Sequence, residues 1–161
     1  MQVRRFWDLV QATRVLRHRQ RPNIDAWPGR VQVAVQAAAA LRANEVVAIF
    51  SDADPLDADR PRTVQVPFLG RQATLLPGVV TLARPTGAPV LMALVHRSAD
   101  YRHQVLEISP PVPMDGDTET ALARCVAAME AAISKHPANW FYWHQSDGLA
   151  KLGLIPDAPA G

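Results

Sequence analysis

The chain has 161 residues, 48% of them hydrophobic and 20% charged, values that fit one globular domain with a sizeable core and exclude extended disorder. A single cysteine, Cys125, excludes an internal disulfide framework and a cysteine-rich metal site. The net charge of +2 hides an asymmetry, because Arg4, Arg5, Arg14, Arg17, Arg19, Arg21 and Arg30 face only Asp8 and Asp25 in the first 30 residues, while the remainder is mildly acidic.

Residues 3–19 read as a helix. Val3, Phe6, Trp7, Val10, Val15 and Leu16 supply its apolar residues and the arginines much of its other surface, so the segment is amphipathic and basic. Pro22 stops it. A basic arm of this kind, residues 1–22, points to an anionic partner; the bland alternative is a solvated helix face. Residues 23–155 read as one α/β domain, and residues 156–161 as a frayed tail. No run reaches the roughly 18 apolar residues of a membrane span, and no signal peptide is legible behind Arg4 and Arg5.

Within the domain, Arg30–Ala43 is rich in alanine and lacks Gly and Pro, which predicts a helix with Val31, Ala34, Val35, Ala38 and Leu41 on one face and Asn44 as its C-terminal cap. Val46–Phe50 is a continuous apolar run of strand length, as in a strand buried on both faces of a parallel sheet. A loop over 51–63 leads to a short strand at Val64–Val66 and a turn at Gly70. Pro77-Gly78 opens a short helix to about Arg84, closed by Pro85-Thr86-Gly87. Pro89–His96 is the next buried strand, and Tyr101–Ile108 alternates as an edge strand. Asp117 is placed to cap a helix over Thr118–Lys135, in which Leu122, Val126, Met129 and Ile133 mark one buried face and Cys125 is a small core residue. Pro137 ends that helix, and Trp140-Phe141-Tyr142-Trp143 follows. The expected architecture is α/β: a small, mostly parallel sheet flanked by helices, with Val46–Phe50 and Pro89–His96 adjacent and the helix near Gly78–Arg84 as their crossover.

Five segments follow in order: Glu45-Val-Val-Ala-Ile-Phe-Ser-Asp52-Ala-Asp54, Val64-Gln-Val-Pro-Phe68-Leu-Gly70, Pro77-Gly78 through Leu82-Ala83 to Thr86-Gly87-Ala88, a strand carrying Arg97, and Ile108-Ser-Pro110-Pro111. In that order they resemble the later half of the bacterial lipid A lauroyl/myristoyl acyltransferase family, within the lysophospholipid acyltransferases. The ending Pro137-Ala-Asn-Trp140-Phe-Tyr-Trp143-His144 is similar to the family's Pro-Glu-Gln-(aromatic)-x-Trp-x-His, but Gln145-Ser146-Asp147 stands where basic residues follow in the family. Without those basic residues Trp140 and Trp143 are read as core. The resemblance covers Arg30 to His144. It implies an acyltransferase fold that takes a fatty acyl group from acyl carrier protein, or from coenzyme A, and passes it to a lipid A precursor or other glycolipid. It implies no metal and no redox cofactor, an anionic membrane surface as a further partner, and a peripheral location on the cytoplasmic face of a bacterial inner membrane. No nucleic-acid-binding motif is present.

Acyl transfer to a hydroxyl needs a general base. The family uses a His with an acidic residue five positions later, His-x4-Asp or His-x4-Glu. Here Asn23 follows His18 at that distance, Tyr101 follows His96, Ile108 follows His103, Phe141 follows His136 and Leu149 follows His144, so the motif occurs nowhere. No catalytic residue is therefore assigned, and a non-catalytic fragment or subunit of the same fold is the rival reading. Asp52 and Asp54 match an Asp-x-Asp-like element that lines the family's cleft; the plain alternative is turn chemistry before Pro55. Phe68 lies in a hydrophobic loop suited to lining an acyl channel or to core packing. Gly78 stands at the start of a helix that, by the resemblance, begins at the cleft, where exposed backbone N–H groups can hold an anion; the plain alternative is a tight turn. Arg19 and Arg21 are the candidates for holding an acidic group.

Overall fold

The structure, a computed structural model, describes residues 31–52 and 63–156. It opens with helix α1, Val31–Arg42. Asn44 ends it in the left-handed region at φ 59°, with its N–H bonded to the Leu41 carbonyl and the Glu45 N–H bonded to that of Ala40, each at 3.0 Å. This pair of bonds satisfies carbonyls that the helix end would leave open. The inward side is centred on buried Ala37, whereas Val35, expected inside, is 63% exposed.

Val46–Phe50 is irregular rather than a buried strand. Val46 is 93% exposed and Phe50 58%. An apolar run becomes a central strand only where neighbouring strands take its backbone N–H and C=O groups, and no described strand pairs with it.

The main core is built on a hairpin instead. Strands β1 (Val64–Phe68) and β2 (Arg71–Leu75) are antiparallel, with Val66 opposite Ala73 and Phe68 opposite Arg71. Alternation sends Val66, Phe68, Ala73 and Leu75 inward, all fully buried. The connecting turn is Leu69-Gly70, with φ of 50° and 74°, the left-handed pair that matches strand twist in a two-residue turn. The Leu69 N–H donates to Glu130 Oε2 at 3.1 Å, fixing the turn to a later helix. On the other side of β2, the Thr74 N–H donates to the Leu152 carbonyl. Gly153 follows at φ 78°, where a Cβ would stand 3.1 Å from the Gln72 carbonyl oxygen.

Helix α2, Gly78–Thr86, buries Val80 and Ala83, packs against α1, and stops at Gly87 in the left-handed conformation. Arg84 ties its last turn to the next helix start: Nε donates to the Met114 carbonyl, and an Nη donates to those of Gly116 and Asp117 at 2.7 Å. Strands β3 (Ala93–Arg97) and β4 (Gln104–Ile108) form a second antiparallel hairpin, with His96 opposite Val105 and Leu94 opposite Glu107. A bridge between Val90 and Val112 extends it. Helix α3, Thr118–Lys135, is capped by Asp117, whose carboxylate accepts from the Thr120 N–H at 2.7 Å. Its buried residues Ala121, Leu122, Cys125, Val126, Met129 and Ile133 include the whole predicted stripe. Two short 3₁₀ turns, Pro137–Asn139 and Phe141–His144, and helix α4, Ser146–Lys151, close over the core with Trp140, Leu149, Leu152 and Leu154.

The fold is thus α/β, but the expected mostly parallel sheet is not what forms. The described strands make two separate two-stranded antiparallel sheets. Pro89–His96 contributes only its end to β3, whose residues alternate between exposed and half-buried. The reason is connection length. The turn over residues 98–103 allows an antiparallel return, whereas a parallel partner needs a crossover of about a dozen residues or more. Helix α2, read as such a crossover, joins strands of different sheets. No helix among the described residues is long and apolar enough to cross a membrane.

Candidate functional site

Asp52 sits in the turn that ends the irregular 45–50 segment. Its Oδ2 accepts a 2.9 Å hydrogen bond from the indole Nε1–H of Trp140, 88 positions later. Trp140 is 7% exposed and meets Phe68 edge-on at a ring-centroid distance of 5.5 Å. It also meets Trp143 at 4.8 Å and Tyr142 at 5.7 Å. The structure therefore brings Asp52 and Phe68 to one indole, Phe68 as a core ring and Asp52 as a half-buried carboxylate. Trp143, read as core, is 48% exposed, and its indole N–H donates to the Pro137 carbonyl. Ser51 adds a weak contact, Oγ to Met129 Sδ at 3.8 Å. Gly78 is the first residue of α2, and a Cβ built on it would meet nothing within 4 Å. Asp54, Arg19 and Arg21 lie outside the described residues.

A second group of polar side chains forms where β3 and β4 meet the end of α3. His96 and Glu107 share one face of the hairpin, since Glu107 stands two residues beyond His96's partner Val105. His96 Nε2 is 3.2 Å from Glu107 Oε1, and Lys135 Nζ donates to both carboxylate oxygens at 2.8 Å. These contacts, led by the Lys135 hydrogen bond, hold the Glu107 carboxyl below its usual range. His136, the C-cap of α3, stacks on His96 with centroids 3.8 Å apart and rings 13° from parallel. A crevice of about 130 Å³ adjoins the cluster, lined by Met92, Leu94, Glu107, Ser109 and the α3 residues Ala128 and Ala132.

His96 with Glu107 has the contact of a catalytic dyad but not its freedom. The Nδ1 atom is 2.8 Å from the Arg97 carbonyl oxygen, which only accepts, so Nδ1 carries a proton. Nε2 faces the carboxylate. In this arrangement both nitrogens are engaged, Nδ1 with the Arg97 carbonyl and Nε2 with the carboxylate.

Sequence reading missed both Trp140 as the partner of Asp52 and the His96–Glu107–His136 group. The second was within reach: the alternation of Tyr101–Ile108 places Val105 and Glu107 on one side, and a hairpin pairing would have set His96 beside them. The first depends on a contact between segments 88 positions apart, which no local pattern encodes.

The profile of the bacterial lipid A biosynthesis acyltransferase family matches residues 13–146. That is most of the chain, and the protein belongs to this family, as the ordered segments from Glu45 onward imply. Comparison with curated proteins gives no match.

Proposed function

We propose that this chain handles the acyl group and lipid acceptor in transfer from acyl carrier protein or acyl-CoA to a lipid A precursor. The setting is the cytoplasmic face of a bacterial inner membrane, which the arginine-rich residues 1–22 would contact through anionic headgroups. In such a transfer the acceptor hydroxyl oxygen attacks the thioester carbonyl, a base takes the hydroxyl proton, and the thiol leaves. The observation that carries this reading is the family match over residues 13–146 in a sequence where no histidine has an acid five positions on. The engagement of both His96 nitrogens supports it further.

The base is therefore assigned outside this sequence. Asp52 then orients the acceptor or an arginine that holds it, and Gly78 offers backbone N–H groups at the start of α2. Arg19 and Arg21 bind the acceptor's phosphate. The missing motif also favours a second reading, a family member that binds lipid without catalysis. The test is acyl transfer by the purified, folded chain alone. Loss of general-base help costs on the order of 100- to 10,000-fold, so no turnover above an enzyme-free blank is expected. Turnover that vanishes on His18→Ala would overturn the assignment of the base.

A further inference from the structure

We infer that His96, Glu107 and His136 form a binding site for a divalent transition-metal ion of the zinc class. His96 is held in one tautomer. Its Nδ1 proton is fixed by the Arg97 carbonyl at 2.8 Å, so in the neutral ring Nε2 carries a lone pair. That lone pair points at Glu107 Oε1, 3.2 Å away, and the carboxylate also only accepts. Lys135 Nζ offsets the carboxylate's charge from its other side, but the approach of Nε2 to Oε1 is stabilised only by a cation between them: a proton on Nε2 or a metal ion. A histidine whose far nitrogen donates to a backbone carbonyl is also oriented as metal-binding histidines are.

The second observation is independent. His136 Nε2 is buried and makes no hydrogen bond, although it lies 3.8 Å from the same Oε1. An unpaired buried imidazole nitrogen is costly, and coordination would satisfy it. One donor atom from each of the three residues falls within 4.8 Å of the others. Zinc bonds to nitrogen and oxygen are about 2.0–2.2 Å in a tetrahedral site, which sets donor atoms roughly 3.3–3.6 Å apart. Before His136 turns, the two histidine nitrogens stand 3.2 and 3.8 Å from Glu107 Oε1, so only a small movement separates them from that spacing. Two imidazoles and one carboxylate are also a donor set suited to zinc, with a fourth position left for water or an exogenous ligand.

Two features shape how the ion binds. Lone pairs lie in the ring planes, so rings 13° from parallel cannot both address one ion. His96 is held by its Nδ1 bond and its side chain is 10% exposed. His136 caps a helix and is 24% exposed, so His136 is the ring that turns. Lys135 Nζ, which holds both Glu107 oxygens at 2.8 Å, has to give up Oε1 to the ion and keep Oε2. The bound ion would then join the β3–β4 hairpin to the end of α3, beside the crevice that Glu107 lines.

The test uses the full chain, freed of metal and titrated with Co²⁺ and then Zn²⁺ at a pH where histidine is neutral. Expected are one ion per chain, a visible d–d band typical of low-coordinate Co²⁺, a raised melting temperature with Zn²⁺, and changed ¹⁵N shifts at Nε2 of both His96 and His136. Glu107→Gln, which keeps the shape, and His136→Ala should each weaken binding by more than the roughly 10- to 100-fold caused by loss of an outer hydrogen-bond partner. Circular dichroism of the metal-free variants checks that they fold. Absence of binding at millimolar Zn²⁺ would overturn the site and leave a proton as the cation between His96 and Glu107. Equal affinity in wild type and both variants would place the ion elsewhere and overturn it as well.

Discussion

The bond from Trp140 to Asp52 joins the irregular 45–52 segment to the core, and its strength can be worked out and measured. Replacing Trp140 with Phe removes the indole N–H that Oδ2 accepts at 2.9 Å and shrinks a ring that is 7% exposed. A hydrogen bond to a charged group contributes about 1.5–3 kcal/mol; Asp52 is half-buried, so the lower end applies. The lost ring volume adds roughly 1 kcal/mol. Trp140→Phe should therefore destabilise the chain by about 2–3 kcal/mol. Asp52→Ala leaves the indole N–H without its acceptor and should cost about 1–2 kcal/mol. The double variant isolates the pair, with an expected coupling of about 1 kcal/mol. Urea denaturation followed by far-ultraviolet circular dichroism supplies all four stabilities, provided the urea slopes agree. Coupling near zero would show that the bond does not hold Asp52 to the core, and the positioned carboxylate would have to be abandoned.

Three further outcomes follow from other parts of the molecule. Gly70→Ala should cost about 1 kcal/mol, all of it backbone strain at φ 74° because a Cβ there meets nothing within 4 Å; a loss near zero on urea denaturation would contradict the turn geometry. Asp117 has its pKa lowered by the Thr120 side-chain and backbone hydrogen bonds, so its stabilisation is present above the ordinary carboxylate range of about 4 and is lost as pH falls through the lower folded value. Acid melts of Asp117→Asn, which keeps an oxygen for the cap, should show a weaker pH dependence than wild type below that range, and identical curves would remove this assignment. A peptide of residues 1–21 should sediment with anionic vesicles and lose affinity as salt rises, each basic residue contributing roughly 1 kcal/mol at low salt; equal, salt-independent binding to neutral vesicles would remove the electrostatic part.

The sequence was most legible where local signals agree. Helix α3 runs over the predicted Thr118–Lys135 because an N-cap, a periodic apolar stripe and a terminal proline coincide there. Asn44 and Gly87 were legible as helix ends because the left-handed conformation selects few residue types. Strand pairing was not legible. Apolar runs such as Val46–Phe50 suit a buried parallel strand, but only chain connections and available partners decide the pairing, and β2 was missed because Arg71 and Gln72 mask its inward Ala73 and Leu75. The family emerged from the order of several weak segments. Asp52, Phe68 and Gly78 could be named by position in that order, whereas the Trp140 contact and the His96–Glu107–His136 group arise from tertiary packing.

The central proposal is that this member of the lipid A acyltransferase family handles the acyl group and acceptor while the general base is supplied by another chain. The most direct measurement is transfer from acyl carrier protein to a lipid A precursor, using this chain co-expressed with an N-terminal half of a family member that carries His-x4-Asp. Turnover should require both pieces, vanish when that histidine is replaced, and fall with Asp52→Ala here. Turnover by this chain alone, or turnover by the pair that survives loss of the supplied histidine, would contradict the claim.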